Sequence, residues 1–393
     1  MVYDVIVIGA GPCGSRTAYR LAKMGYCVTV LEKRSALGQK PCCTGIISQE
    51  CIDRFDIPEN LILRQVNSVR IVMPSGKFIG ISRSQNQAAV VDRRGLDRHL
   101  ADLTRACGVP YHLHCQAEYI SLRPEKVVIG IKDEGYDYQL EARSVVLATG
   151  FGSVLVKDLG LGRPAYLAAG VQAEIRLNNG DDIEVFFGRK TAPGFFAWLV
   201  PTARGKGLAG LVAYTKAGDY LRKWLNELTA AGKVISEAHT LKYGGIPLRP
   251  ISRTYTDRVL VVGDAAGQVK PTTGGGIYFG LLCADIAAET LNKSFQSGSL
   301  DAASLSLYEE NWRKKLGPEL RREIFARRMF ERLSDSQIEK LIEVSYSSGL
   351  IDTFLQDEST TFDWHGSIVK KVLTSGLKTI LSHRRGQFTY HSD

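Results

Sequence analysis

The stretch from Tyr3 to Glu32 restricts this chain more than any other. An apolar, β-branched run, Tyr3 to Ile8, passes through Gly9-Ala10-Gly11-Pro12-Cys13-Gly14 into a segment of helical spacing, Ser15 to Met24. A second buried run, Tyr26 to Leu31, follows and ends on Glu32. Strand, glycine turn, helix and strand in that order make a right-handed βαβ crossover with parallel strands. The spacing gives each glycine a task. Gly9 tightens the turn, Gly11 lets backbone approach a pyrophosphate, and Gly14 lets helix pack on strand. Pro12 opens the helix, whose free N–H groups attract an anion. Glu32, at the strand end, is placed to accept both ribose hydroxyls of an adenosine, with Lys33 beside it. The unit predicts a dinucleotide site without saying which dinucleotide.

A second glycine-rich stretch narrows the choice. Arg258 to Val262 reads as a strand that runs into Gly263-Asp264-Ala265-Ala266-Gly267, and Pro271 precedes Gly274-Gly275-Gly276 and Ile277 at the start of a helix. An aspartate at a strand end suits ribitol hydroxyls. Backbone N–H groups at a glycine-rich helix start suit the electron-rich edge of a reduced isoalloxazine. An extended cofactor with two poles, FAD, is expected.

Composition sets outer limits. Fifty Lys and Arg against 41 Asp and Glu give +9, an excess whose size and dispersion do not call for nucleic acid. Between Asn311 and Leu333 eight basic residues face three glutamates, a local +5 read as a solvated helix face in preference to a lipid-binding face, and one that could meet an acidic electron carrier. No apolar run reaches the roughly 18 residues that span a bilayer, so a cytoplasmic location, with peripheral membrane contact open, is expected. The eight cysteines have no paired CxxC spacing, which predicts reduced thiols and no metal site.

Further along, residues 68–81 alternate like a hairpin, and 95–107 reads as a helix with Leu96, Leu100 and Leu103 on one face. From about 165 to 250 the pattern changes to long alternating strands with one helix. Beyond about 300 the chain reads as helical. The fold class is α/β: a Rossmann-like FAD-binding domain, an interleaved antiparallel-sheet substrate domain and a helical C-terminal region. The expected limits are 1–165 with 251–300 for the first, 166–250 for the second and 301–393 for the third, with the strands at 65–90 assignable to the substrate domain.

Gly9 to Gly14, Glu32, Ala148-Thr149-Gly150 and Gly263-Asp264 resemble the flavoprotein superfamily with the hydroxybenzoate hydroxylase type of fold, and more closely the geranylgeranyl reductases. Pro193 to Pro201 is similar to that family's Pro-x-x-Tyr-x-Trp-x-Phe-Pro substrate-domain motif, with Phe196 and Val200 in place of its Tyr and Phe. The resemblance implies substrate contacts from Phe187, Pro193, Phe196, Trp198 and Pro201. It implies flavin contacts from Ala148, Gly150 and Arg93. It also implies a cysteine-bearing loop near the flavin in Lys40-Pro41-Cys42-Cys43-Thr44-Gly45, where the Cys-x-Gly spacing favours Cys43 and leaves Cys42 as the alternate.

The activity implied is hydrogenation of C=C bonds of an isoprenoid chain, as lipid or prenyl diphosphate. Reduced flavin would deliver hydride, and Cys43, or a water it positions, would deliver the proton. Phe186, Phe187, Phe195, Phe196 and Trp198 would suit such a chain, because each buried CH₂ contributes about 0.8 kcal/mol. No second βαβ fingerprint is found, so a transient electron donor, NADPH or a ferredoxin-like protein, is expected. The alternatives are a flavin monooxygenase of the same fold, a flavin-dependent electron-transfer dehydrogenase to quinone, and a non-catalytic isoprenoid carrier. A C-terminal stretch, Ser367 to Arg385, has the spacing of an interfacial helix or of one packed on the body.

Overall fold

A computed structural model of the chain describes residues 2–39, 42–133, 136–178, 182–235, 240–352 and 361–374. It divides into two compact units. Unit 1 takes Met1–Pro41, Asp92–Leu167 and Gly245–Pro318, and unit 2 takes Cys42–Val91, Ala168–Gly244 and Glu319–Asp393.

Unit 1 is built on the strand Tyr3–Ile8, whose last four residues are fully enclosed. Val28–Leu31 pairs with it in parallel on one side and Tyr136–Leu147 on the other. Tyr111–His112 and Val259–Val261 extend the parallel sheet outward, and Tyr255–Thr256 closes one edge antiparallel. A parallel sheet is covered on both faces, which is why its strands read as continuous apolar runs and not as alternation. Tyr136–Leu147 has a second role, pairing antiparallel with Val127–Asp133, which pairs with Gln116–Leu122. Ile6, Ile8, Leu31, Ile129, Val145, Leu147, Val259 and Val261 form the shared core.

The first helix of unit 1 is Pro12–Lys23. Arg93–Ala106 is N-capped by Asp92, whose carboxylate accepts from the Arg94 N–H at 3.0 Å. Its buried face differs from the expected one. Leu96 and Leu100 are enclosed, but Leu103 is exposed and Thr104 takes the inward place, donating to the Ser15 and Leu100 carbonyls. The helix Ile277–Gln296 begins three residues later than the glycines suggested, because Gly274 adopts φ +74° and Gly276 is the N-cap.

Unit 2 contains a seven-stranded sheet in the order 242–247, 167–176, 206–213, 196–203, 184–187, 68–72, 78–82. Ser68–Val72 and Phe78–Ser82 form the expected hairpin. A smaller antiparallel sheet joins Ile46–Ser48, Ala88–Val91 and Ile62–Val66. Phe186 packs edge-on against Trp224 of the helix Ala217–Ala230, so that helix covers one sheet face. The long helix Ala302–Phe330 holds Pro318 within it. Downstream, Ala326, Leu333, Ile338 and Leu341 enclose Leu373, with Val369 and Val372 packed against them. That much of the predicted interfacial helix is therefore used in packing; its residues from 375 onward lie outside the described part. Among the described residues no helix is long and apolar enough to cross a membrane.

Candidate functional site

In unit 1 the glycine turn sits where the sheet reverses its winding direction, between Tyr3–Ile8 and Tyr136–Leu147. Ligands of open α/β sheets bind at that point, beyond the carboxyl ends of the strands. The three glycines have the separate physical reasons their spacing predicted. Gly9 takes φ +111°, and a Cβ there would lie on the Ala148 carbonyl. A Cβ on Gly14 would lie on the Gly9 carbonyl oxygen. At Gly11 a Cβ would meet no protein atom within 4 Å, so this position is open while the other two are closed. Pro12 follows at the first helical position, and no side chain caps the helix start. Glu32 is held by its own neighbours: one carboxylate oxygen accepts from the Ala10 N–H at 2.9 Å and the other from the Arg34 N–H at 3.0 Å. Lys33 beside it is exposed.

Ala148, Thr149 and Gly150 continue the neighbouring strand into the same crevice, with the Ala148 N–H bonded to the Ile8 carbonyl at 2.9 Å. Thr149 Oγ1 is buried and has no hydrogen-bond partner among the described residues. Gly150, at φ +69°, has open space in its Cβ direction.

The second glycine stretch packs directly on the first. Cys13 Sγ fills the space where a Cβ on Gly263 or Gly280 would stand, and burial pushes its thiol up to about 12. Arg16 and Asp285 join the helices Pro12–Lys23 and Ile277–Gln296 by a two-pronged ion pair, 2.7 and 3.2 Å. Asp264 lies in a single 3-10 turn, Gly263–Ala266. That turn is braced from beneath: the Gly263 N–H donates to Gln268 Oε1, Gln268 Nε2 to Tyr308 Oη, and Tyr308 Oη to the Val261 carbonyl, at 2.8, 2.9 and 2.9 Å. Burial raises the Asp264 carboxyl above its usual range, and the Arg93 guanidinium pulls it back. Asp97 is raised by burial in the same way, with Arg93 again opposing. Arg93 binds Asp97 at 2.5 Å, with 13% and 10% of the two side chains exposed, so it is an enclosed pair and not a surface salt bridge. Gly276 packs on Asp264 Oδ1 and Gly275 on Lys270 Cε, at 2.7 and 2.9 Å from the positions of absent Cβ atoms. Ile277 opens the helix, whose start has no side-chain cap.

An uncapped helix start with open space at Gly11, an orphaned hydroxyl at Thr149, an acid at the strand end and a second uncapped glycine start fit a dinucleotide with a flavin at one end. Sequence reasoning missed Lys270, which is only 3% exposed, and the Gln268–Tyr308 brace. A lysine within a polar loop gives no sign that it is buried.

In unit 2 the substrate-side residues separate by face. Phe187 lies opposite Phe196 and Val185 opposite Trp198. Phe187, Phe196 and Trp198 form a continuous row, with ring centroids 6.3 and 6.0 Å apart. Phe186 points to the other face, against Trp224. Phe195 instead meets Tyr214 edge-to-face with ring centroids 4.8 Å apart, and the buried Arg327 guanidinium lies 3.6 Å over its ring. Pro201 is buried next to Gly207 on the face opposite Trp198, and Pro193 lies in the turn before the strand. The expected cluster of five aromatics is therefore a row of three.

The two adjacent cysteines also diverge. Cys42 Sγ donates to the Lys242 carbonyl at 3.2 Å and approaches the Gly170 carbonyl at 3.8 Å. Burial first, then the neighbouring Cys43, push its thiol up to about 11. Cys43 accepts on Sγ from the Gly45 N–H at 3.4 Å, and its carbonyl accepts from Gln172 Nε2 at 3.2 Å. Lys40 and Pro41, which begin this loop's motif, lie outside the described residues.

These two uncapped glycine helices at the switch point of a parallel sheet define an FAD-binding flavoprotein, and the FAD binding domain family matches residues 2–311. A digeranylgeranylglycerophospholipid reductase of Methanocaldococcus jannaschii is 30% identical over 87% of this chain and 90% of its own length. Digeranylgeranylglycerophospholipid reductase 2 of Methanothermobacter thermautotrophicus is 33% identical over 87% of this chain and 91% of its own. The chain belongs to this geranylgeranyl reductase family of FAD-dependent oxidoreductases. The fold agrees with that of a geranylgeranyl bacteriochlorophyll reductase-like protein of Thermoplasma acidophilum, at a TM-score of 0.84 and 22% identity over 98% of this chain and 99% of that one.

Proposed function

We propose that this chain hydrogenates C=C bonds of an isoprenoid lipid and that Cys43 is the proton donor. The observation behind this is the company Cys43 keeps: its backbone is bound by Gln172 of the sheet whose same face carries the row Phe187, Phe196 and Trp198. Membership of the reductase family supports the reading. An isolated trisubstituted alkene is a poor hydride acceptor, so proton and hydride must arrive together at its two carbons. Bound FAD, once reduced, supplies hydride.

The rest falls to the protein. In this reading the helix start that Gly11 and Pro12 open faces the pyrophosphate, with Gly9 shaping the turn and Gly14 letting the helix pack close beneath it. Glu32 and Lys33 hold the adenosine end. Ala148, Gly150, Arg93, Gly263 and Asp264 line the middle, and Gly274, Gly275, Gly276 and Ile277 face the ring. The apolar row Phe187, Phe196 and Trp198, with Pro193 and Pro201 shaping their strand, takes the prenyl chain and keeps bulk water from it. Cys42 is assigned a structural role, because its thiol already donates to backbone carbonyls.

Replacing Cys43→Ala is expected to leave FAD content and thermal unfolding unchanged while alkene reduction falls by roughly 100-fold or more. Cys42→Ala is expected to cost stability in preference to turnover. Product analysis by mass spectrometry reads both, and unchanged turnover in Cys43→Ala removes the thiol from the chemistry. Substrate-dependent oxygen uptake would instead favour the monooxygenase alternative.

The electrons are proposed to come from a transient partner, NADPH or a ferredoxin-like protein. The exposed Arg321, Arg328 and Arg332 suit an acidic carrier. Flavin bleaching in a stopped-flow instrument is then fast with the carrier and slows steeply with added salt. Equal rates with NADPH at every ionic strength would rule the carrier out.

A further inference from the structure

Gln172, Gly210 and Trp198 stand side by side in three neighbouring strands of the unit 2 sheet, Gln172 opposite Gly210 and Gly210 opposite Trp198. Residues directly opposite in antiparallel strands share a face. Gly210 has no side chain, and the Trp198 indole occupies the space it leaves: Cε2, bonded to the ring nitrogen, is 2.6 Å from where a Cβ would stand. Cζ2 lies nearer still, so the ring edge next to the nitrogen covers the glycine that separates Trp198 from Gln172.

Gln172 is 3% exposed, and its Nε2 donates to the Cys43 carbonyl at 3.2 Å. That bond fixes the amide, since the flipped orientation would set one carbonyl oxygen against another. Its Oε1 is thus an acceptor. Gln172 Oε1 and Trp198 Nε1 are both buried, and neither has a hydrogen-bond partner among the described residues. A buried acceptor and a buried donor left over in one protein each need an explanation. Here they are complementary and share one sheet face, across a glycine. A single water molecule, which accepts from the indole and donates to the amide, satisfies both.

We propose that Gln172 and Trp198 hold a water beside Cys43 that returns a proton to its thiol after each reduction. The inference rests on the reading of Cys43 as proton donor. With reduced FAD bound to supply hydride to one alkene carbon, Cys43 would give its proton to the other, which leaves a thiolate. The thiolate then takes a proton from the held water, and the resulting hydroxide is neutralised by a proton from solvent. Gln172 and Trp198 are positioning residues here: both orient the water, and Gln172 also fixes the Cys43 backbone.

Two measurements test this. A crystal structure of the FAD-loaded enzyme should show an ordered water within about 3.2 Å of both Gln172 Oε1 and Trp198 Nε1. A direct bond between the two side chains, or no water at either, overturns the proposal. The second measurement uses Trp198→Phe, which keeps most of the ring and removes the N–H, and Gln172→Met, each checked for FAD content. Dithionite-reduced protein, kept in excess dithionite so that the flavin is re-reduced after each turnover, is mixed with geranylgeranyl diphosphate. The first turnover uses the proton already on Cys43, so whatever a variant does to it through substrate contact, the ratio of later to first turnover rates should fall by about tenfold relative to wild type.

Equal loss in first and later turnovers would mark a structural or substrate-contact role and overturn the idea, as would wild-type rates throughout. Cys43→Ala with full turnover would defeat the underlying reading separately, because that result concerns the thiol and leaves the crystallographic test of the water independent.

Discussion

At the scale of single residues, the first glycine motif separates what the fold needs from what the cofactor needs. Gly14 faces the Gly9 carbonyl within the protein, whereas Gly11 faces open space at an ordinary φ of −73°. Gly14→Ala is therefore expected to destabilise the apoprotein by about 1–3 kcal/mol through overpacking. Gly11→Ala should leave apoprotein stability nearly unchanged and weaken FAD binding, so that excess FAD no longer raises the melting temperature. Melting curves with and without FAD read both variants, and a Gly11→Ala protein that still gains stability from FAD would disprove the role given to that position. The same scale shows why two adjacent thiols need not be equivalent. Cys42 is committed to carbonyls of two strands, while the sulfur of Cys43 accepts from a local N–H.

At the scale of elements, the two helices that begin at glycines are fastened together, from Arg16 in the second turn of the first to Asp285 near the middle of the second. The Arg16–Asp285 pair is two-pronged and mostly enclosed, with 14% and 13% of the side chains exposed. Charge-assisted bonds of this kind contribute more than surface pairs do. Asp285→Ala is expected to cost about 1–3 kcal/mol in urea unfolding and to weaken FAD retention, since the two helices then lose the pair that fixes one against the other. Unchanged FAD affinity would show that the pair only supports the fold. The sheet of unit 2 teaches a related point about faces. Period-two alternation sends Phe186 to Trp224 and Phe187 to Phe196, although the two are adjacent in sequence.

At the scale of the whole molecule, the legible parts were those that repeat a physical rule over a short span. The βαβ unit could be read because its strands are continuous apolar runs and its glycines have fixed spacing. The Asp264 turn was legible for the same reason, and the hairpin at 68–82 because alternation and a Pro-Ser-Gly turn coincide. What escaped depends on partners distant in sequence. Gln172 sits in an alternating strand like any other polar residue, and only its bond to the Cys43 carbonyl gives it meaning. Lys270 and Gln268 look like loop residues, and Tyr308 like one more helical aromatic, until the sheet ends against them. Leu103 fails in the opposite sense, because a helical face drawn from leucines alone ignores Thr104, whose hydroxyl is satisfied by backbone.

Unit 1 is assembled from three separated stretches, and its parallel sheet places Tyr3–Ile8 in the middle, Tyr136–Leu147 beside it and Val259–Val261 beyond. On the ribosome these strands appear in that order, with long intervals between them. The opening strand gains Val28–Leu31 early but must wait for its other neighbour, encoded far downstream, and the Asp264 turn cannot form until most of the message has been translated. Maturation of the flavoprotein is thereby tied to near-complete synthesis, and a nascent chain stalled midway would present an unpaired strand edge to chaperones in place of a finished cofactor cradle.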